Sequence, residues 1–101
     1  MKYNPDKWLI VDVGECYKVF ATWSGGYLDG DSWKVNSGIT KIEIVDDYYH
    51  IYGLSGSVYE CHKNSYGTTS FGAGILEKID KDATVIYEFE KAKEVVNEFL
   101  I

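Results

Sequence analysis

The feature that most constrains this fold is a succession of short β-forming runs, separated by turn residues, between Lys7 and His62. Each run is rich in Val, Ile, Thr and aromatic residues, and each separator contains Gly, Ser or Asp, as in strands joined by tight turns. The runs are Lys7–Val13, Cys16–Trp23, Ser32–Asn36, Ile39–Val45, Tyr48–Leu54 and Ser57–His62. Because such strands pair with their chain neighbours, the pattern predicts an antiparallel β-meander of about five or six strands. Within it, Ser37-Gly38 is predicted to be a bulge or tight bend in one strand path.

The remainder of the chain predicts helices. Thr69-Ser70 is predicted to cap a short helix through Ile79, because apolar residues there recur every four positions. Residues 83–87 are β-branched and predict a last strand, and residues 89–100 carry the apolar stripe of an amphipathic helix. The stripe consists of Phe89, Ala92, Val95, Val96 and Phe99. The alternative is a single helix over residues 82–100, and strand followed by helix is preferred.

These elements predict one α+β domain spanning residues 1–101, with an antiparallel β-meander, a short helix and a C-terminal amphipathic helix. One face of the sheet is expected to be covered by helix and the other to face water. The chain has nine Tyr, three Trp and four Phe, more large rings than one small core holds. Some rings are therefore expected on the surface, where Tyr and Trp often mark binding interfaces.

The charge composition indicates which classes of partner the protein can bind. Sixteen acidic residues face ten basic ones, giving a net charge of -6, and every basic residue is lysine. Phosphate neutralisation supplies most of the affinity for nucleic acid, and arginine reads phosphates and guanine edges with a planar fork. The composition therefore predicts no direct binding of DNA or RNA and favours a partner with a basic surface. The competing interpretation is that the negative charge only keeps a small protein in solution.

The location and redox state follow from what the sequence lacks. No apolar run approaches the roughly 20 residues of a membrane-spanning helix, and the N-terminus has no apolar stretch of the signal-peptide kind. The expected location is the cytoplasm, without membrane contact. Cys16 and Cys61 are too few for a disulfide scaffold and are expected to be free thiols.

Acidic residues beside aromatic residues in two predicted connections form the candidate partner-binding site. Its members are Asp29, Asp31, Asp46 and Asp47 for charge, and Tyr27, Trp33, Tyr48 and Tyr49 as aromatic anchors. Alternate connections of a meander lie at the same end of the sheet, so the two tips are expected to converge. Carboxylates flanked by rings form a patch that a lysine- or arginine-lined surface would accept. The competing interpretation is that aspartate is simply a good turn residue.

Catalytic and metal-binding alternatives are less favoured. A thiol nucleophile at Cys61 needs a base, and His50 could face it only if the strand register allowed, whereas adjacent His62 points to the opposite face. A zinc site from Cys16, Cys61, His50 and His62 has suitable ligand types but lacks short paired spacings. The Asp29–Asp31 segment lacks the remaining ligands of a calcium loop, and no Gly-rich phosphate loop is present. No catalytic residue, metal or cofactor is predicted.

Two segments carry a resemblance to a group of proteins. SWKVNSGITKIE (Ser32 to Glu43) and LSGSVYECHKNSYG (Leu54 to Gly67) resemble small uncharacterised proteins carried by bacteriophages and other mobile elements. The small size, the acidity and the lysine-only basic complement are also similar to anti-CRISPR and other anti-defence proteins. Members of that functional group commonly cover the nucleic-acid-binding surfaces of host nucleases, some of them with acidic groups that mimic phosphates. The resemblance implies a non-catalytic inhibitor in the host cytoplasm, and because the group shares no fold it assigns no site residues.

The leading hypothesis from the sequence is therefore a phage-type inhibitor or adaptor that binds a host nucleic-acid-handling protein through acidic and aromatic loop residues. The second is a small-molecule binder, such as a nucleotide sponge, that uses tyrosines on the open sheet face or at a homodimer seam. The third is an enzyme built on Cys61 and His50.

Overall fold

The computed structural model describes residues 1–25, 30–79 and 81–101, and within them the chain forms eight strands and two helices. Each predicted β-forming run yields a strand, and a further short strand, β1, precedes them. The strands are β1 (Lys2–Tyr3), β2 (Lys7–Asp12), β3 (Tyr17–Trp23), β4 (Ser32–Val35), β5 (Ile39–Val45), β6 (Tyr48–Gly53), β7 (Val58–His62) and β8 (Thr84–Ile86). The helices are α1 (Ser70–Ile79) and α2 (Phe89–Phe99). Strand β8 followed by α2 confirms the preferred prediction over a single helix across residues 82–100.

The strands form two sheets, so the prediction of one antiparallel meander is wrong. The central sheet has the order β4-β3-β2-β8 and is antiparallel throughout. The outer sheet has the order β1-β7-β6-β5 and is mixed, because β1 runs parallel to β7. The local part of the prediction is correct, since the β2–β3, β5–β6 and β6–β7 pairs are all antiparallel.

The chain passes from one sheet to the other at residues 36–38, where a bulge within one strand path was predicted. Asn36 is buried, and its backbone N–H and side-chain Oδ1 bind the carbonyl oxygen and the N–H of Val19, at 3.1 and 2.8 Å. Gly38 has a φ of 131°, a conformation that favours glycine. Its carbonyl then accepts a hydrogen bond from Leu54 of the other sheet, at 3.1 Å. Asn36 therefore ends pairing in the central sheet, and Gly38 begins pairing in the outer one.

The main core lies between the two sheets and is closed by α2. Alternate residues of β2 and β3 point into it, and they meet buried residues of the outer sheet and of α2. The buried set includes Trp8, Ile10, Val19, Ala21, Ile42, Ile51, Tyr59, Cys61, Ala92, Val95 and Val96. The indole N–H of Trp8 donates a 2.8 Å hydrogen bond to the carbonyl of His62, which ties the two sheets together. The predicted apolar stripe of α2 is confirmed, because its central residues are the buried ones.

A second core lies on the other face of the central sheet, beneath α1. Leu9, Val11 and Phe20 are buried there against residues of that helix. The predicted cap is confirmed, since Thr69 Oγ1 accepts a hydrogen bond from the N–H of Gly72 at 3.1 Å. The central sheet is thus covered on both faces, whereas the outer sheet is covered on one. None of the described helices is long and apolar enough to cross a membrane.

Candidate functional site

The outward-facing side of the outer sheet, here called the open face, is a sheet surface that neither of the described helices covers. Alternation along β6 and β7 divides their residues between the core and this face. Tyr49, Ile51, Tyr59 and Cys61 are buried in the core. The residues between them belong to neither core and are half-buried: Tyr48, His50, Tyr52, Val58, Glu60 and His62.

Strand register arranges the open face in rows. Tyr48 pairs with His62, and their rings meet edge to face with centroids 4.9 Å apart. In the next row His50 pairs with Glu60, and Nε2 of His50 lies 3.7 Å from Oε2 of Glu60. Glu43 of β5 pairs with the other side of His50, so the imidazole lies between two acidic positions. Imidazole and phenol rings are thereby interleaved with carboxylates.

Charge on the open face is divided between its two ends. The acidic rows lie next to the β5–β6 turn, where Asp46 and Asp47 are both exposed. The opposite end carries Lys41, whose ammonium lies 4.6 Å from the ring centroid of Tyr52, and Lys2 on β1. The described part of this face therefore presents an acidic end and a smaller basic end.

A shallow polar groove of about 240 Å³ lies at the acidic end. Its walls are Asn4, Val45, Asp46, Tyr48, His50 and Glu60. The groove combines two carboxylates with a phenol ring, an imidazole and an amide. Such a lining suits a cationic side chain, which would find carboxylates as counter-ions and a ring beside it.

Three of the predicted partner-binding residues lie at this end and a fourth is buried. Asp46 and Asp47 form the predicted turn, in which Asp46 has a φ of 54°, a conformation that aspartate tolerates better than most residues. Tyr48 lies on the open face. Tyr49 is only 6% exposed and packs in the main core, with its ring centroid 5.8 Å from that of Trp8. Because successive strand residues point to opposite faces, Tyr49 cannot serve as a surface anchor beside Tyr48.

The other predicted tip belongs to the central sheet. Trp33 lies on the α1 side of that sheet, 40% exposed and stacked on Phe20 with centroids 5.8 Å apart. Exposed Asp31 accepts a hydrogen bond from the N–H of Gly25 at 3.2 Å. Tyr27 and Asp29 lie outside the described residues.

The C-terminal end of β3 lies close to the acidic end of the open face, although β3 belongs to the other sheet. The indole N–H of Trp23, the last residue of β3, donates a 2.9 Å hydrogen bond to the carbonyl of Asn4. Asn4 also lines the polar groove beside Asp46. Trp33 is separated from the open face by the thickness of the central sheet and the main core.

The described structure does not bring together the residues of the alternative Cys61–His50 catalytic pair or of the alternative zinc site. Cys61 is fully buried, and desolvation raises the pKa of its thiol well above the ordinary value. His50 lies on the opposite face, paired with Glu60, so it cannot act as a base for Cys61. Cys16 and Cys61 are both free thiols, as predicted. Within residues 1–25, 30–79 and 81–101, no group of three His, Cys, Asp or Glu side chains is placed to hold a metal ion.

The burial of Cys61 gives a test of this part of the structure. In native protein, half-buried Cys16 should react with a thiol reagent such as DTNB, and Cys61 should react slower by about two orders of magnitude or more. Cys61 is protected because it reacts only when the core opens. A Cys16→Ser variant isolates the Cys61 reaction, and addition of denaturant should make it fast. Rapid labelling of native Cys16→Ser protein would contradict the placement of Cys61.

Sequence reasoning missed the acidic and imidazole groups that share the open face with Tyr48. The partner-binding residues predicted from the sequence do not include Glu43, His50, Glu60 or Asn4. The available signal was the period-two alternation through β6 and β7, which correctly separates His50 from Tyr49. The row pairing of His50 with Glu60 depends on the hairpin register, which the turn sequence did not specify.

The open face therefore offers carboxylates, rings and lysines on one hydrogen-bonded sheet. Its residues come from distant parts of the chain, between Lys2 and His62. No protein-family model, no curated protein and no solved structure matches this chain.

Proposed function

We propose that the protein is a non-catalytic binding protein that holds a basic protein surface against the acidic end of its open face. The partner class is a host nucleic-acid-handling protein, and the mode is that of a phage-type inhibitor of the anti-defence kind. The proposal is a refinement of the leading sequence hypothesis. Asp46, Asp47 and Tyr48 remain contact residues, buried Tyr49 is dropped, and Glu60 and His50 are added.

The observation that carries the proposal is the juxtaposition of carboxylates and half-buried rings on an uncovered sheet face. Asp46 of the β5–β6 turn and Glu60 of β7 line one groove together with Tyr48 of β6. Rings on a paired strand lose little conformational freedom when a partner covers them, so they suit the role of anchors. Carboxylates around them attract a basic surface and accelerate encounter with it.

The charge composition supports the same partner class. A net charge of -6 without arginine disfavours direct contact with nucleic acid phosphates. The same charge favours the basic clefts with which other proteins hold nucleic acid. Carboxylates aligned along a rigid face can occupy such a cleft in place of phosphates.

A nucleotide binder is the second candidate, because the basic end of the open face has groups for a base and for phosphates. The ammonium of Lys41 lies over Tyr52, and Lys2 follows in the same row beyond Val58. A base could stack on the tyrosine while the lysines bind phosphate. This candidate predicts that nucleotides raise the melting temperature, whereas the inhibitor proposal predicts that they do not.

The inhibitor proposal is tested by affinity capture with charge-matched variants. The test variant carries Asp46→Asn, Asp47→Asn and Glu60→Gln, which removes three charges from the acidic end. We expect capture of the basic partner from a bacterial lysate to fall by about tenfold or more, since three surface charge contacts of about 0.5 kcal/mol each are lost. Partner recovery is measured by quantitative mass spectrometry after washes of rising ionic strength, which should release the partner from wild-type protein.

The matched control carries Glu77→Gln, Glu94→Gln and Glu98→Gln, three exposed helical positions away from the open face. It loses the same net charge and should retain capture within about twofold. A separate Asp31→Asn variant asks whether the tip of the central sheet contributes. Equal losses in the test and control variants would show that only net charge matters, and they would contradict a site at the acidic end.

A further inference from the structure

Helix α1 covers the second core more closely at its N-terminal end than at its C-terminal end. Near the start of the helix, Gly72 brings the backbone close to the central sheet: a Cβ atom there would lie 2.9 Å from Cγ2 of Thr22 and 3.3 Å from Cε2 of Phe20. At the other end the last residue, Ile79, is 44% exposed. The helix is therefore in close contact with the sheet at its N-terminal end, and its C-terminal end is less well covered.

A cavity of about 140 Å³ lies beneath the less well covered part of α1. Its walls are almost entirely aliphatic and aromatic. They are formed mainly by Leu76 and Ile79 of the helix and by Val11, Phe20, Val35 and Val85 of the sheet. A cavity of roughly 150 Å³ with apolar walls is large enough for benzene. Its size and lining therefore suit a small apolar molecule.

The wall contains a single charged residue among those the structure describes, Lys18 of β3. Lys18 is half-buried and lies two residues before Phe20, on the same side of the strand. Within the described parts of the chain, no carboxylate lies within 4.0 Å of its ammonium group. An apolar cavity with a lysine that has no counter-ion among the described wall residues is complementary to a ligand with an apolar body and a negative head.

We propose that the cavity beneath α1 binds a small apolar carboxylate, about one aromatic ring in size, with the carboxylate beside the ammonium of Lys18. The site is independent of the open face, because it lies on the other side of the central sheet. Binding would also fill space that α1 leaves empty, so the ligand should stabilise the docked helix.

The test uses benzoate and toluene as probes, since they share a ring and differ in the carboxylate. In methyl-resolved NMR titrations of the full chain, benzoate should shift the methyl signals of Val11, Val85 and Leu76 in a saturable manner. Replacement Lys18→Gln should weaken benzoate about three- to tenfold, because a charge-assisted contact at a partly exposed site is lost. Toluene affinity should stay unchanged in this variant. The matched control Lys78→Gln removes an exposed lysine from the last turn of α1 and should leave both affinities unchanged.

A second variant fills the cavity itself. Ala83 also lines the cavity, and Ala83→Leu should abolish saturable shifts by both probes. Continued binding by a folded Ala83→Leu protein, or equal weakening of benzoate and toluene in Lys18→Gln, would overturn the proposal. Absence of any saturable shift in the wild-type protein would overturn it as well. These outcomes leave the open face untouched, so failure here is distinct from failure of the inhibitor proposal.

Discussion

Replacing Gly72 by valine should lower the free energy of unfolding by about 2–3 kcal/mol, whereas Gly74→Ala in the same helix should raise it by about 1 kcal/mol. The two glycines have opposite surroundings. A Cβ atom at Gly72 would meet the side chains of Thr68, Thr22 and Phe20, so valine must push α1 away from the sheet. A Cβ atom at Gly74 would have nothing within 4 Å, so alanine there only removes the cost of glycine in a helix.

Urea unfolding at neutral pH measures both effects, and Gly74→Ala is the control for the helix propensity of α1. Undocking of α1 by Gly72→Val should also expose Leu9 and Phe20, which are buried beneath it. An unchanged urea midpoint in Gly72→Val would mean that α1 does not depend on the close approach at this residue. Destabilisation by both variants would mean that the second core is packed differently.

The local elements were predictable from the sequence because each depends on neighbouring residues. Asp46-Asp47 and Ser55-Gly56 each separate two β-forming runs, and antiparallel hairpins form across both. Thr69 caps α1 because its side chain reaches the N–H of Gly72 three residues later. Such contacts need only a few residues of chain, so composition and spacing suffice to predict them.

The division into two sheets could not be predicted in the same way, because it depends on long-range contacts. Pairing of β1 with β7 joins residues that are more than fifty positions apart, and a two-residue strand leaves almost no pattern. The change of sheet depends on Asn36. Its backbone N–H and its side-chain Oδ1 make hydrogen bonds with the backbone of Val19, in place of a further residue pair between β3 and β4. In the sequence this residue resembles any polar residue before a turn.

The candidate site was predictable to the extent that it follows from turns and alternation. Asp46 and Asp47 were found because aspartate marks the turn, and Tyr48 because it adjoins them. Tyr49 was selected for the same reason, although the alternation that places His50 on the open face places Tyr49 in the core. Adjacency in sequence does not distinguish the two faces of a strand, and the pairing of His50 with Glu60 depends on a register that only the folded hairpin supplies.

The hydroxyl group of Tyr66 bridges two strands of the central sheet. Tyr66 follows the outer sheet, yet its hydroxyl accepts a 3.0 Å hydrogen bond from the N–H of Ile10 on β2 and donates one to the carbonyl of Ile86 on β8. Its ring lies edge to face with that of Trp8, with centroids 4.7 Å apart. The hydroxyl thus takes the place of a direct hydrogen bond from the N–H of Ile10 to the carbonyl of Ile86, two residues that are partners in the β2–β8 pairing.

Tyr66→Phe should lower the free energy of unfolding at pH 7 by about 1–3 kcal/mol, because a buried backbone donor and acceptor lose their partner together. Desolvation raises the pKa of Tyr66 to about 12, against the ordinary value of 10.0. The folded state therefore keeps a proton that the unfolded state releases, so the contribution of Tyr66 to stability is full below pH 10 and falls as pH rises from 10 to 12. Tyr66 alone accounts for a fall on the order of 2 kcal/mol over that interval. In Tyr66→Phe the fall should be smaller, with a remainder from Tyr59, whose pKa is also raised to about 12, and from the buried thiol of Cys61, whose pKa is raised as well.

Chemical denaturation at pH 7 and across pH 9–12 measures both consequences of this one hydroxyl. The control is Tyr87→Phe, which removes a hydroxyl from a residue that is 63% exposed and should leave stability unchanged at neutral pH. The two consequences of Tyr66→Phe have a common cause, because the burial that makes the bridging hydroxyl valuable at pH 7 also opposes its ionisation. A variant that lost stability at pH 7 but kept the full alkaline fall would separate them, and the alkaline transition would then belong to Tyr59, Tyr49 or the buried thiol of Cys61 rather than to the bridge between β2 and β8.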